Sequence, residues 1–248
     1  MINKNVLITG GSGGIGSALC RAFAKEGCNV AVHCNSKTDY AETLANELRE
    51  KYKINAFAVQ ADVADRESVN VMFDKIISNN FKSLDVLVNN AGIAQQKLFT
   101  DLTQEDWKRM ISVNLDGVFN CTQEAVKRYM LPAHSGVILN ISSMWGQVGA
   151  SCEVHYSAAK AGVIGFTKAL AKELGLSGIR VNCIAPGVVM TDMMKGFDEQ
   201  TIAELKEETP LNELGSPSDI ADATVFLCCD RAKFITGQIL GVNGGFII

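Results

Sequence analysis

The sequence contains no apolar run approaching the ~18 residues that a membrane-spanning helix needs. Its first residues carry neither a basic n-region nor a cleavage site, so neither anchor nor leader is expected. Charge of one sign is also lacking. The formal net charge is −4 over 248 residues, with no run of like charge, which excludes the basic footprint of a nucleic-acid binder. The three histidines (His33, His134, His155) stand at no ligand spacing to one another or to a carboxylate. None of the eight cysteines (20, 28, 34, 121, 152, 183, 228, 229) forms a CxxC pair, and no metal site is expected. Cys20, Cys28 and Cys121 lie in apolar stretches, where cysteine acts as a small hydrophobe. A reducing cytoplasm is the compartment that fits them. No repeat, low-complexity tract or linker divides the chain, so residues 1–248 read as one domain.

What is present alternates. Short β-branched runs predict strands at 5–9, 29–33, 56–60, 86–89, 137–141, 180–184 and 239–242. Helical patterns fill 15–26, 40–52, 66–79, 104–129, 156–174 and 217–228. Strands apolar on both faces and separated by helices indicate a parallel sheet covered on both sides. Right-handed crossovers then give a seven-stranded, doubly wound α/β sheet of the Rossmann type. Residues 188–214 break the rhythm, with no strand but with Met190, Met193, Met194 and Phe197 among polar residues. A long connection of this kind is expected to be a lid over a pocket, the plainer reading being a loop whose apolar residues cap the core.

The first strand runs into Thr9-Gly10-Gly11-Ser12-Gly13-Gly14-Ile15-Gly16 and then directly into a helix. Glycines there permit a tight turn and close backbone approach to a pyrophosphate, which the helix N-terminus attracts. No Gly-Lys-Ser/Thr follows, so a P-loop is excluded. A dinucleotide site often carries an acidic residue about 20 positions on. Here the second strand ends in His33-Cys34-Asn35-Ser36-Lys37, with no carboxylate before Asp39. A 2′-phosphate is therefore permitted, and NADP(H) is favoured over NAD(H). Lys37 can pair with that phosphate or be a solvated loop lysine. Asp62, followed by Val63, can accept from an adenine amine or cap the next turn.

Tyr156 and Lys160 stand one helical turn apart, so phenol and ammonium share a helix face. A free tyrosine titrates near ~10. An ammonium at ~4 Å in a dielectric of ~20 supplies about 4 kcal/mol, enough to bring the phenol near ~7. Taken alone, the pair also fits an ordinary amphipathic surface. Ser143 stands thirteen residues before the tyrosine.

Taken together, these motifs resemble the short-chain dehydrogenase/reductase family along nearly the whole chain. The resemblance rests on the glycine turn, Asn89-Asn90-Ala91-Gly92, Asn114 within V-N-L, Ser143, Tyr156-x-x-x-Lys160, and Pro186-Gly187 followed by Thr191. It implies that Tyr156 donates the proton to the nascent alkoxide and that Ser143 polarises the carbonyl. Lys160 would lower the tyrosine's pKa and hold the nicotinamide ribose, and Asn114 would place a relaying water. Asn114 can also be read as a mid-helix asparagine bonded to backbone. Asn90, Ala91 and Gly92 would line the adenosine ribose side. Pro186, Gly187, Val189 and Thr191 would meet the carboxamide and pyrophosphate. The resemblance also implies a homotetramer built on helices 104–129 and 156–174 and on the C-terminal segment.

Within that family the chain is most similar to the beta-ketoacyl-acyl-carrier-protein reductases, through residues 118–122, 158–168, 181–187 and 235–245. A 3-oxoacyl thioester on an acyl carrier protein is the implied substrate, with a sugar, polyol, steroid or other ketone as the alternative. A nucleotide-sensing protein without catalysis is the alternative of another class. Three departures bear on the substrate and coenzyme: Gly13 where those reductases commonly have arginine, the stretch from Ala150 to His155, and Ile93-Ala94-Gln95-Gln96. Met144, Trp145, His155, Met190 and Met194 are expected at the pocket, His155 as a wall rather than a base. Lys127, Arg128 and Lys172 read either as a patch for an acidic carrier or as solvated charges.

Overall fold

A computed structural model describes residues 1–248 except Asn80, Asp192, Met193, Lys195 and Phe197. Met193 and Phe197, expected in the lid, thus lie outside the described residues. The first half runs β1 (Asn5–Ile8), α1 (Gly14–Lys25), β2 (Asn29–Cys34), α2 (Thr38–Tyr52), β3 (Ala56–Gln60), α3 (Arg66–Ser78) and β4 (Val86–Asn89). The second runs α4 (Gln104–Ile111), α5 (Gly117–Ala125), α6 (Leu131–Ala133), β5 (Gly136–Ile141), α7 (Trp145–Val148), α8 (Val154–Leu174), β6 (Ile179–Pro186), α9 (Glu199–Glu207), α10 (Pro217–Cys228) and β7 (Ile239–Val242). All seven strands are parallel, in the order β3-β2-β1-β4-β5-β6-β7. The direction of winding reverses between β1 and β4, and the crevice at that point is where such sheets bind ligands.

Period-two side-chain direction divides the core. Val6, Ile8, Val30 and Val32 join Leu19 and Phe23 of α1, Leu44 and Leu48 of α2 and Ile220 of α10 on one face. Leu7, Ala31, Leu87 and Ile138 join Met72, Phe73 and Ile76 of α3, Ala125 of α5 and Leu174 of α8 on the other. Both layers are apolar because both are covered, which is why the strands show no polar alternation.

One polar ladder crosses the second layer. Asn89 Nδ2 donates to Thr122 Oγ1 and to Asn140 Oδ1, each at 2.8 Å, and Asn140 Nδ2 donates to Thr167 Oγ1 at 2.9 Å. Every member is buried, and the ladder ties β4 and β5 to α5 and α8. Asn140→Leu removes two buried bonds, leaving Asn89 held only by Thr122, and chemical denaturation should show a loss of about 2–4 kcal/mol.

The expected segments are all present, with ends shifted by two residues or fewer except where one helix becomes several. The expected helix 104–129 is interrupted by π-helical turns at Ser112–Asp116 and Val126–Met130. Each wide turn slips the side-chain phase by one residue, which a 3.6-residue pattern does not reveal. The excursion after β6 contains a helix, α9, that the strandless reading of 188–214 did not anticipate. Its apolar stripe is short, Ile202 and Leu205 one turn apart among polar residues, and Asp198 caps it by accepting from Thr201 N at 2.8 Å. The ends of the excursion are pinned together: Met190 N donates to Gly215 O at 2.8 Å, and Gly215 N to Val188 O at 3.0 Å.

Candidate active site

The glycine turn joins β1 to α1 at the switch point. Gly10 adopts φ +65°, a conformation that glycine tolerates without strain. Gly13 N donates to Gly10 O at 3.0 Å, and Asn90 Nδ2 donates to Thr9 O and Gly10 O at 2.9 and 3.2 Å. Thr9 Oγ1 accepts from the amides of Asn90 and Ala91 at 2.9 and 3.0 Å, so the two turns are built on each other. A side chain at Gly16 would collide with the Gly10 carbonyl, and one at Gly14 would meet Thr191 at 3.0 Å. The α1 N-terminus has Gly13 as its cap with no side-chain bond, and no acid in its first turn. Ser12, Gly13, Gly14 and Ile15 therefore form a narrow cradle at a positive helix end, with Thr191 across it. These features fit the pyrophosphate of a nicotinamide dinucleotide.

Around the adenosine side the sequence expectations divide. Asn35 and Lys37 are exposed beyond β2. Asp62 Oδ1 caps its own turn by accepting from Ala64 N at 3.0 Å, and Oδ2 faces Arg109 Nη1 at 3.4 Å. That geometry is the capping alternative. Val63 is buried, and its carbonyl accepts from Asn120 Nδ2 at 3.0 Å. Pro186 and Gly187 continue β6, where Pro186 O accepts from Met144 N and Gly187 N donates to Val242 O, each at 2.9 Å. Val189 is buried beside the pinned ends of the excursion.

Ser143, Tyr156, Lys160 and Asn114 come from the end of β5, from α8 and from the first π-helical turn. Lys160 is buried, and its Nζ donates to Ile141 O at 3.0 Å. The ammonium lies 5.6 Å from the centre of the Tyr156 ring. A side chain built on Gly92 would stand 2.7 Å from Asn114 Oδ1 and 3.5 Å from Lys160 Nζ, which brings Asn114, Gly92 and Lys160 to one point. Asn114 Nδ2 donates to Ile93 O and Met110 O at 3.0 and 3.1 Å, and Oδ1 accepts from Ile93 N at 3.3 Å. Its side chain therefore clamps the loop after β4, the backbone-bonding alternative from the sequence. Ser142, the neighbour of Ser143, spends its hydroxyl on Lys160 O at 2.8 Å.

The phenol's resting state reverses the sequence expectation. Burial pushes Tyr156 up to about 12, against a smaller lowering from the Ser143 hydroxyl. Burial likewise brings Lys160 down to about 8. An interior that disfavours both charged forms outweighs an ammonium 5.6 Å from the ring centre. The structure therefore holds Tyr156 as a protonated phenol, a donor rather than a base.

The two divergent segments beside the tyrosine are joined to each other. Lys97 N donates to Cys152 O at 2.8 Å, Gln96 Nε2 to Glu153 Oε1 at 3.3 Å, and His155 Nε2 lies 3.0 Å from Gln95 Oε1. Gln95 Nε2 in turn donates to Asp106 Oδ1 at 3.0 Å, and Lys97 Nζ pairs with Asp106 Oδ2 at 2.6 Å. Hydrogen bonding from Lys97, then from the Thr103 backbone and Gln95, holds the Asp106 carboxyl well below the usual carboxylate range. His155 is fully buried, and burial lowers its pKa. Met144 is buried, Trp145 and Met194 are half-buried and Met190 is exposed. Trp145 meets Phe246 edge to face at 5.9 Å, an aromatic contact that the sequence reading missed. Arg128 does not join a free basic patch: it pairs with Glu124 at 2.6 Å and with Asp74 at 2.5 Å.

Two residues of the cradle escaped the sequence reading as site residues. Thr9 was seen only as the first letter of a motif, and His33 only as a histidine without ligand partners. Among the described residues no group of His, Cys, Asp and Glu could hold a metal ion, and no helix is long and apolar enough to cross a membrane.

Comparison with known proteins gives a consistent result. Residues 10–247 match the family described as enoyl-(acyl carrier protein) reductase. The chain is 43% identical over 244 residues to a 3-oxoacyl-(acyl-carrier-protein) reductase of Staphylococcus aureus, covering 98% of each protein. It is 40% identical over 245 residues to the protein of that name from Chlamydia muridarum, covering 99% of this chain and 98% of that one. A third, from Aquifex aeolicus, is 40% identical over 242 residues, covering 98% and 96%.

Proposed function

The chain belongs to the short-chain dehydrogenase/reductase family and is an NAD(P)-dependent oxidoreductase, and we propose that it reduces the 3-oxo group of an acyl thioester borne by an acyl carrier protein. The observation that carries the reaction is the meeting of Ser143, Tyr156 and Lys160 beside an uncapped helix N-terminus at the switch point. The identity of the relatives along their whole length supports the substrate.

When bound, the reduced nicotinamide supplies the hydride. The residues of the chain manage the oxygen. The Ser143 hydroxyl donates to the carbonyl oxygen, where negative charge grows. Tyr156, protonated at neutral pH, passes its proton to that oxygen. Lys160 holds the nicotinamide ribose and returns the proton to Tyr156. Asn114 serves that return path: its Oδ1 takes one N–H from Ile93 and keeps a second lone pair on the side of Gly92 and Lys160. Gly10, Ser12, Gly13, Gly14, Ile15 and Gly16 cradle the pyrophosphate with Thr191. Asn90 buttresses that cradle, and Ala91 and Gly92 flank the adenosine ribose. The carboxyl end of β2 bears no acid against a 2′-phosphate, which supports NADP(H), with Asn35 and Lys37 on the open side. The described residues between 188 and 214 form the lid.

A second reading, another ketone as substrate, is favoured by one observation: the clasp of Gln95, Gln96, Glu153 and His155 occupies both segments where the chain departs from the 3-oxoacyl reductases. Following nicotinamide absorbance with acetoacetyl thioesters and a panel of sugars, polyols and steroids, each with NADPH and NADH, decides between them. The thioester should have the highest kcat/KM, with NADPH preferred. A larger value for any simple ketone would favour the second reading. A cytoplasmic homotetramer completes the proposal, with the exposed Phe119, Phe234 and Ile248 as apolar surface for subunit contact. Light scattering should give four times the chain mass, and a monomer would contradict it.

A further inference from the structure

We propose that His33 is a positioning residue for the dinucleotide turn, fixing the Gly10 peptide from beneath; the inference rests on the nucleotide-binding reading above. His33 lies near the carboxyl end of β2, where Val30, Ala31 and Val32 before it are apolar and buried, and is 1% exposed. Buried polar atoms are costly without partners; unlike His155, whose Nδ1 has none, His33 has both nitrogens paired, each on a different neighbouring strand end. Gly10 N donates to Nδ1 at 2.9 Å, and Nε2 lies 3.1 Å from Ala61 O. The amide can only donate and the carbonyl can only accept, so the ring is the neutral tautomer with its hydrogen on Nε2. The His33 carbonyl adds a third tie by accepting from Gly11 N at 2.7 Å. Burial, which brings its pKa to about 4, keeps the ring in that form at neutral pH.

The consequence lies in the glycine turn. The Gly10 N–H is held by His33, while its carbonyl is held by Gly13 N and Asn90 Nδ2. Gly13 is the N-cap of α1; the imidazole fixes the Thr9–Gly10 peptide, and the His33 carbonyl fixes the next one, Gly10–Gly11, whose carbonyl suspends the cradle. A merely space-filling residue at position 33 would leave the amide without its acceptor. The bond is made from the δ position of the side chain, and this makes the proposal separable from a structural role. Asparagine also offers an acceptor at δ, whereas glutamine places its polar groups at ε and leucine offers none.

The test measures NADPH dissociation constants from nicotinamide fluorescence for wild type, His33→Asn, His33→Gln and His33→Leu, together with hydrogen exchange at the Gly10 amide and the melting temperature of each. Leucine and glutamine should each weaken NADPH binding by about tenfold and speed Gly10 exchange, with kcat at saturating coenzyme within twofold of wild type. Asparagine should bind within threefold of wild type and keep Gly10 protected. Unchanged affinity in His33→Leu, or affinities that follow melting temperature rather than the δ acceptor, would overturn the role of His33 alone. Failure of wild type to bind any nicotinamide dinucleotide would instead overturn the nucleotide reading, and the purpose assigned to His33 with it.

Discussion

Tyr156→Phe should lower kcat for carbonyl reduction by about 10³-fold while leaving coenzyme affinity within a few-fold of wild type. Positioned proton transfer contributes roughly 10²–10⁴-fold, and the substitution removes the one group that burial keeps as a neutral donor beside Ser143. The aromatic ring remains, so packing on α8 and the place of Lys160 should be preserved. Stopped-flow nicotinamide absorbance and equilibrium fluorescence separate the two effects. Retained turnover would remove Tyr156 from the reaction; lost coenzyme binding would show that the ring, not the proton, was its contribution.

Lys160→Met should abolish most activity, by about 10²-fold or more, and yet give a more stable protein. The ammonium is buried, donates to Ile141 O at 3.0 Å and takes part in no ion pair among the described residues. The gap between about 8 and the ordinary lysine value corresponds to about 3 kcal/mol held against the charged form at neutral pH. Methionine removes that penalty and gives up one hydrogen bond to a carbonyl. The net gain expected on denaturation is about 1–2 kcal/mol. The pH dependence carries its own sign. Between pH 8 and 10 the unfolded chain keeps a lysine proton that the folded chain has released, so wild-type stability rises with pH relative to the variant. A variant that is less stable at pH 7, or a constant difference across that window, would show that the ammonium is not a strained charge.

Legibility in the sequence followed the range of the interactions. The strand Ala56–Gln60 and the helix Pro217–Cys228 were readable to the residue because a short apolar run between polar residues, and Pro217 after the capping Ser216, are local signals. The glycine turn was readable for the same reason, since Gly10 and Gly16 answer to backbone geometry within one motif. The π-helical turn that carries Asn114 was not, because one inserted residue leaves composition unchanged and only shifts the face. His33 and Thr9 were illegible as site residues because their partners come from strands 23 and 81 positions away. The clasp of Gln95 with His155 spans 60 positions, so each segment alone showed only that it departs from a pattern. The sign of the tyrosine's shift was misread for a related reason. Coulomb attraction can be counted from an i, i+4 spacing, whereas the water lost around a phenol depends on the whole fold.

That sign can be measured in the free protein. With ¹³C-labelled tyrosine, the Cζ resonance of Tyr156, assigned by its loss in Tyr156→Phe, reports the phenol's charge directly through a pH titration. The resonance should stay at its protonated position from pH 6 to beyond 10, since burial pushes the group up to about 12. Titration of Tyr156 near 7 would contradict the account, because Lys160 would then outweigh burial and the resting enzyme would hold a base where a donor is required.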